Sequence, residues 1–290
     1  MEPTMLLIDA SSFIHRAFHA ATPRVTTKGE HVAALYITIK MLRNLVNQQK
    51  PKWVATVFDH PGDNFRHYLY PGYKANRPPK PTELEFQIEK VRLFSGAMGL
   101  NPIIVSEVEA DDVIATLARS ASESEIRTQV ATRDKDLAAV VNSHVSLIDK
   151  DGNITDVAKV EEKYGVSPEQ ICDLLTLTGD DSDNIPGIQG LGIKKAANLV
   201  NKYGSLDMII ASSKAIPGVI GERIRDNAET LKEMRQIVRL ENSLCIMKDH
   251  EQYARRGLNI EALMQLFEQF EFHDMRDKLM GHMGNTSTSN

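Results

Sequence analysis

Nine carboxylates in this chain fall where short apolar runs end or helical patterns begin. Asp9 closes MLLI, Asp59 follows WVATVF, Glu109, Asp111 and Asp112 follow PIIV within VEADD, and Asp134 and Asp136 lie just past IRTQVAT. Asp180 and Asp183 stand three apart in GDDSDN, a spacing that lets two side chains point the same way from a helix end or tight turn. Taken singly, an acid in such a place is ordinarily a cap or turn residue, favoured by local hydrogen bonding and the helix dipole. Gathered on one edge, these acids would repel one another unless divalent cations sat among them. All-oxygen ligands suit Mg²⁺ or Mn²⁺ better than Zn²⁺. Two such ions are a known apparatus for phosphodiester hydrolysis and need no Ser, Cys or His nucleophile. The nine histidines show no HExxH or triad-like spacing, although His15 and His19 lie close to Asp9. Calcium storage is disfavoured, because the loop that starts at Asp180 has Ile185 where an EF-hand needs Gly and Leu191 where it needs Glu.

A second pattern is cationic. Between Asn64 and Thr82 there is no acid, while Arg66, Lys74, Arg77 and Lys80 alternate with Tyr68, Tyr70 and Tyr73. Charge for a phosphate backbone interleaved with rings for base stacking suits single-stranded nucleic acid. A solvated basic loop would look the same in isolation, but the position directly after Asp59 favours a cover over the acid edge. Lys74 and Arg77 are the candidates for binding the scissile phosphate and offsetting charge in the transition state. In PGIQGLGIKKAANLV, Gly187, Gly190 and Gly192 permit a tight turn, and Lys194 and Lys195 enter the following helix, whose N-terminus could hold a phosphate. The segment is not a P-loop, which needs GxxxxGK[ST] after a strand; a plain helix-turn-helix with packing glycines is the alternative.

These residues need a scaffold that brings strand ends together. MLLID (5–9), WVATVF (53–58), PIIV (102–105), IRTQVA (126–131) and VSLI (145–148) read as strands, with helix-period spacing at 32–47 and 112–121 between them. TELEFQIEKVRLFSGAMG opens with Thr82 and Glu85 in capping-box spacing and closes at Gly99. The expected class is α/β, a central, mostly parallel sheet flanked by helices, which gathers ligands at its carboxyl edge. DGN (151–153) reads as a hairpin turn with NITDV returning. From about Tyr164 the pattern is helical, with Ser167 as an N-cap, KKAANLVNKYG, a segment from Arg223 to Leu244, and EALMQLFEQF. The organisation expected is an α/β domain over 1–164 carrying a basic arch at about 64–98, a helical region over 165–280 with a helix-hairpin-helix at about 184–200, and a disordered tail at 281–290. The short echo between IPGIQG (185–190) and IPGVIG (216–221) reads as two similar turns into helices.

Composition is ordinary for a globular chain of 290 residues. The net charge of −5 argues against nucleic acid only until the nine candidate ligands are set aside, which leaves the rest of the chain at +4. Cys172 and Cys245 are far apart and in no ligand spacing, as expected for a reducing compartment and a cytoplasmic location. The N-terminus lacks a basic leader and no apolar run is long enough for a bilayer, so no membrane role is expected.

The segments LLIDASSFIHRAFHA, VFD, YKANRPPKP, VEADDVIATLA, ATRDKDLAAVV and TGDDSDNIPGIQGLGIKKAANLV, in this order and spacing, resemble the 5′-nuclease family, which includes the N-terminal nuclease domain of bacterial DNA polymerase I and stand-alone bacterial and phage 5′-exonucleases and flap endonucleases. The resemblance runs from about Met5 to Phe272 and implies a PIN-like 5′-nuclease fold with a helix-hairpin-helix (H3TH) region. It implies a first metal site on Asp9, Asp59, Glu109, Asp111, Asp112 and Asp134, and a second on Asp136, Asp180 and Asp183. Lys74 and Arg77, with Arg66 and Tyr73 nearby, correspond to the basic arch, and residues 184–200 to the element that grips duplex DNA, with K⁺ under the turn. The activity implied is Mg²⁺- or Mn²⁺-dependent cleavage at 5′ flaps, nicks and free 5′ ends of DNA and at RNA-DNA primer junctions, in replication and repair. A monomeric, free-standing nuclease is the expectation. Arg133 stands where many relatives have Gly, and Asp181 where many have Ser. A DNA-structure-binding protein without chemistry and a small ribonuclease are the competing readings. The first would be favoured by missing second-site acids, but Asp136, Asp180 and Asp183 are all present, and the second leaves the hairpin and basic segment unexplained.

Overall fold

The computed structural model describes residues 4–287, with side chains through 281. Its centre is a six-stranded sheet of β1 (Thr4–Asp9), β2 (Trp53–Val57), β3 (Pro102–Ile103), β4 (Arg127–Ala131), β5 (Val145–Ile148) and β6 (Ile154–Thr155), in the order β3-β2-β1-β4-β5-β6. β1 to β5 run parallel, and β6 returns antiparallel to β5 as the DGN turn leads one to expect. The connections carry α1 (Ala10–Ala20), α2 (Ala33–Gln49), α3 (Phe65–Leu69), α4 (Thr82–Ala97), α5 (Ala110–Glu123) and α6 (Val157–Tyr164).

β1 is continuously apolar because both of its faces are covered. Met5 and Leu7 pack with Trp53, Ala55 and Val57 beneath the α5 residues Val113, Ile114 and Leu117. Leu6 and Ile8 pack on the other face against Phe13 and Ile14 of α1, Leu35 and Leu42 of α2 and Phe94 of α4. β3 is shorter than the expected 102–105; it is an edge strand, and its first residue, Pro102, has no N–H to give a ladder. The capping box expected at Thr82 does not form. Pro81 is the N-cap of α4, and the Thr82 hydroxyl donates to Glu83 instead (3.3 Å). Because Leu84, Val91 and Phe94 of α4 are buried in the core, only the first part of the 64–98 segment lies over the sheet edge.

A second cluster belongs to α7 (Ile171–Thr178), α8 (Ile193–Tyr203), α9 (Leu206–Ala211), α10 (Val219–Asp226) and α11 (Ala228–Val238), which share Leu174, Leu177, Val200, Ile209, Ile224 and Leu231. The chain then returns to the sheet. Leu240, Leu244, Ile246 and Tyr253 join the α5 side, and α12 (Ile260–Gln269), α13 (His273–Ser287) and the turn between them carry Leu263, Phe267, Phe270, Phe272 and Met275 onto the α2 and α4 side. The helices of 165–280 therefore pack on two cores rather than one, because helical periodicity reveals a buried face but not its partner. α13 also continues to Ser287, through most of the tail expected to be disordered, since each added residue extends a helix already anchored by Met275 and Leu279. Residues 288–290 of that tail lie outside the described residues. Among the described residues no helix is long and apolar enough to cross a membrane.

Candidate active site

The carboxyl ends of β1, β2 and β4 meet at a cleft of about 280 Å³. Asp9 is the last residue of β1 and also the N-cap of α1, so one oxygen accepts from Ser12 N (2.9 Å) and the other from Thr132 Oγ1 (2.8 Å). Asp59 lies just past β2. Its N–H donates to Ser11 Oγ (2.9 Å), and its Oδ1 accepts from Ala110 N at the start of α5 (2.9 Å). The turn after β4 is held by Thr132, whose hydroxyl accepts from Asp134 N (2.9 Å), and Asp134 in turn accepts from Asp136 N (2.9 Å). Asp9, Asp59, Glu109, Asp111, Asp134, Asp136 and Asp183 all line this cleft.

Their electrostatics report how closely they converge. Burial, assisted by the charges of Asp59 and Asp134 and opposed by the hydrogen bonds from Ser12 and Thr132, pushes Asp9 up to about 7. Asp111 is pushed well above the carboxylate range by burial and then by Asp134, Asp9, Asp59 and Glu109. Asp136 rises to about 7 through burial and the charge of Asp134, with Asp180 and Asp183 adding and Lys135 opposing. Acids in this state retain protons that a bound divalent cation would displace.

Asp136, Asp180 and Asp183 form the tightest group, each offering an oxygen within 4.8 Å of the other two. They come from two parts of the chain. Asp136 opens the single helical turn 136–140 after β4, and Asp180 and Asp183 flank the turn after α7. Asp180 caps that turn by accepting from Ser182 N (2.8 Å) and Ser182 Oγ (2.7 Å). Asp136 Oδ1 is buried without a hydrogen-bond partner. Cations are interleaved with the acids: Lys74 pairs with Glu109 and approaches Asp183 (3.9 Å), Arg77 pairs with Asp183, and Lys135 pairs with Asp180. Burial works against the Lys74 ammonium, yet Glu109 and Asp183 hold its pKa above the ordinary lysine range. Lys74 and Arg77 are held over the acids by the backbone as well, through Lys74 N to Asp183 O (2.9 Å), Arg77 Nε to Ser182 O (3.1 Å) and Asn76 Nδ2 to Asp181 O (2.6 Å).

Three expected site residues are held by internal partners, two of them, Arg66 and Tyr73, on the wall of the cleft. Arg66, expected at the nucleic acid, is 2% exposed. It grips Asp112 with two short hydrogen bonds (2.6 and 2.7 Å), donates to Glu109 (3.1 Å), and donates to the carbonyls of Ile237 (2.7 Å) and Arg239 (3.1 Å). Asp112, expected among the metal ligands, is fully buried. Both its oxygens are engaged by Arg66, and Oδ1 also accepts from Glu241 N (2.8 Å), so it braces the site from behind. Tyr73 is buried too, its hydroxyl donating to Glu109 (2.9 Å) while its ring joins Ile185, Met234 and Ile237. Sequence reasoning also passed over contributors to the cleft. Lys135 was visible inside ATRDKDL, whereas Ser11 and Thr132 serve only through hydrogen bonds that residue type does not announce.

The glycine segment joins α7 to α8. A Cβ on Gly187 would lie 2.2 Å from the Thr178 carbonyl carbon, so this glycine answers a close backbone crossing at the end of α7. Gly190 has φ 80°, and Gly192 is the N-cap of α8, leaving first-turn N–H groups beside the exposed Lys194 and Lys195. IPGVIG likewise leads into a helix, α10, through Gly218 at φ 73°.

Residues 4–165 match the 5′-3′ exonuclease N-terminal resolvase-like domain, and residues 166–261 match the 5′-3′ exonuclease C-terminal SAM fold. DNA polymerase I of Pseudomonas aeruginosa is 35% identical over 285 residues, covering 95% of this chain and 31% of that protein; the chain thus spans about a third of the polymerase relatives it matches. A 5′-3′ exonuclease of Aquifex aeolicus is 32% identical, with 94% of this chain and 93% of that protein covered. In architecture the chain is similar to the flap endonuclease of bacteriophage T5 solved as a pseudo-enzyme-product complex with DNA and metal ions, at 17% identity and a TM-score of 0.67, covering 96% and 98% of the two chains.

Proposed function

The chain belongs to the 5′-3′ exonuclease family, and from that premise we propose that it is a divalent-metal-dependent 5′-nuclease, cutting phosphodiester bonds at flaps, nicks and free 5′ ends of DNA and removing RNA primers paired to DNA. The observation that carries this reading is the convergence of seven carboxylates on one cleft with Lys74 and Arg77 among them. The donor set fits hard divalent cations such as Mg²⁺ or Mn²⁺: it is all oxygen, it includes the buried unbonded Oδ1 of Asp136, and burial and mutual repulsion keep several members only weakly acidic. Asp9, Asp59, Glu109, Asp111 and Asp134 would hold one ion, and Asp136, Asp180 and Asp183 a second. When bound, such ions supply an activated water and neutralise charge on the leaving oxygen.

The chain's own residues do the rest. Lys74 and Arg77, now paired with Glu109 and Asp183, exchange those carboxylates for the scissile phosphate and stabilise the charge that builds on it. Arg66 and Asp112 fix the start of α5, and with it Glu109 and Asp111. The hairpin at 187–195 takes a duplex phosphate on its N–H groups and lysines, with K⁺ under the turn, and reads no sequence. The protein acts as a monomer in the cytoplasm. Incubation with a 5′-labelled flap, a nicked duplex and single-stranded RNA, in Mg²⁺ and in EDTA, tests the reading. Cleavage of the first two only in Mg²⁺, leaving 5′-phosphate and 3′-hydroxyl ends, is expected. Cleavage of RNA alone, or binding without cleavage, overturns it.

A further inference from the structure

Beside the cleft, above β4 and β5, lies a second recess of about 180 Å³ whose walls include Arg133, Asp134, Lys135, Asp149, Thr155 and Lys163. Asp134 borders both spaces, so the recess adjoins the cleft at that residue on the carboxyl side of the sheet. Its walls carry more cations than acids, Arg133, Lys135 and Lys163 against Asp134 and Asp149. Arg133 is exposed and makes no hydrogen bond or ion pair with any described residue. Among the described residues the Lys163 ammonium, on the last turn of α6, meets only the ring of Tyr164, at 4.8 Å. The acids on the walls are engaged elsewhere. Asp149 accepts from Asp151 N, Asn153 N and Asn153 Nδ2, each at 2.9 Å, and so closes the turn into β6, while Asp134 accepts from Asp136 N. Two cations without carboxylate partners among the described residues, on the wall of one recess beside the proposed cutting site, call for an anion.

Resting on the nuclease reading, we infer that Arg133 and Lys163 hold an internal phosphodiester of the strand being cut, adjacent to the scissile one, and so fix how that strand leaves the cleft. The contact is to phosphate and carries no sequence information. It adds to affinity through released counterions, about one unit of salt slope per contact. Because Arg133 has no partner among the described residues and Lys163 has the ring contact with Tyr164 alone, their replacement should shift the thermal midpoint little.

The test is binding of a 5′-flap DNA in Ca²⁺ over a range of KCl, for the parent, Arg133→Ala with Lys163→Ala, and Arg133→Lys. The double variant should bind about tenfold more weakly at 0.1 M salt, with a salt slope lower by one to two units, and Arg133→Lys should remain near the parent. A series of flaps with single methylphosphonates around the cutting point should show one or two positions that weaken the parent and not the double variant. The difference between parent and variant should persist on a flap with a 5′-hydroxyl. Equal affinities and slopes overturn the inference, as does a difference confined to 5′-phosphorylated flaps, which would assign the recess to a terminal phosphate. Cleavage by the parent in Mg²⁺ is followed in parallel. A parent that binds but does not cut contradicts the proposed function alone, whereas one that cuts while the variants bind as it does contradicts only this contact.

Discussion

Lys74 enters the acid cluster from a backbone with φ 55°, a conformation unfavourable for a side chain with a Cβ, and the hydrogen bond from its N–H to Asp183 O holds it there. Its placement among carboxylates ties its charge to the reacting phosphate more than to the duplex, so Lys74→Ala should lower single-turnover cleavage at least a hundredfold while changing duplex affinity less than threefold. Equal turnover at saturating flap would remove it from the reaction. The acids make a pH prediction. Asp9 and Asp136 are each raised to about 7 in the folded chain, so the unfolded chain ionises first as pH climbs. Their contribution to stability is therefore full below about pH 4 and is lost as pH rises toward 7. A divalent cation replaces the retained protons, and Mg²⁺ should raise Tm more at pH 8 than at pH 5.5. A larger rise at pH 5.5 would mean that these acids do not receive the ion. The acids and Lys74 were legible because type and spacing mark them. The pairing of Arg66 with Asp112 was not, since both read as exposed charges until the fold shows them buried together.

That buried pair operates at the scale of elements, fastening α3 to the start of α5 and the end of α11. Replacing Arg66 by Met strands the Asp112 carboxylate away from water. Urea denaturation should then show a loss of about 3–5 kcal/mol, recovered in large part by Asp112→Leu in the same chain. A loss below about 1 kcal/mol would mean that the pair is not structural. The hairpin makes a separate prediction. Lys194→Ala with Lys195→Ala should weaken DNA binding evenly across sequences and flatten its salt dependence, and unchanged affinity and slope would place the duplex elsewhere. Strand positions were readable to within a residue or two, because β1 and β2 are short, mainly apolar runs, and β1, β2 and β4 are each followed or closed within a few residues by acids at the cleft, Asp9, Asp59 and Asp134. The return of α12 and α13 to the first core was not readable, since the apolar stripe of Leu263 and Phe267 does not name the surface that buries it.

Across the whole molecule, the second acid group exists only because two parts of the chain are brought together: Asp136 follows the sheet strand β4, Asp180 and Asp183 belong to the helical region, and the segment from Tyr70 to Arg77 is stitched to the turn at Ser182 and Asn184. The central claim is that this group serves chemistry and not folding. Asp180→Asn with Asp183→Asn keeps side-chain size and one acceptor oxygen on each residue while removing two negative charges near the phosphate path. The decisive measurement is flap binding in Ca²⁺ beside single-turnover flap cleavage in Mg²⁺, for parent and double variant. The predicted result is a folded protein that binds the flap as tightly as the parent or more so, and cleaves it at least a thousandfold more slowly. Cleavage at the parental rate, or a variant that neither folds nor binds, would contradict the claim.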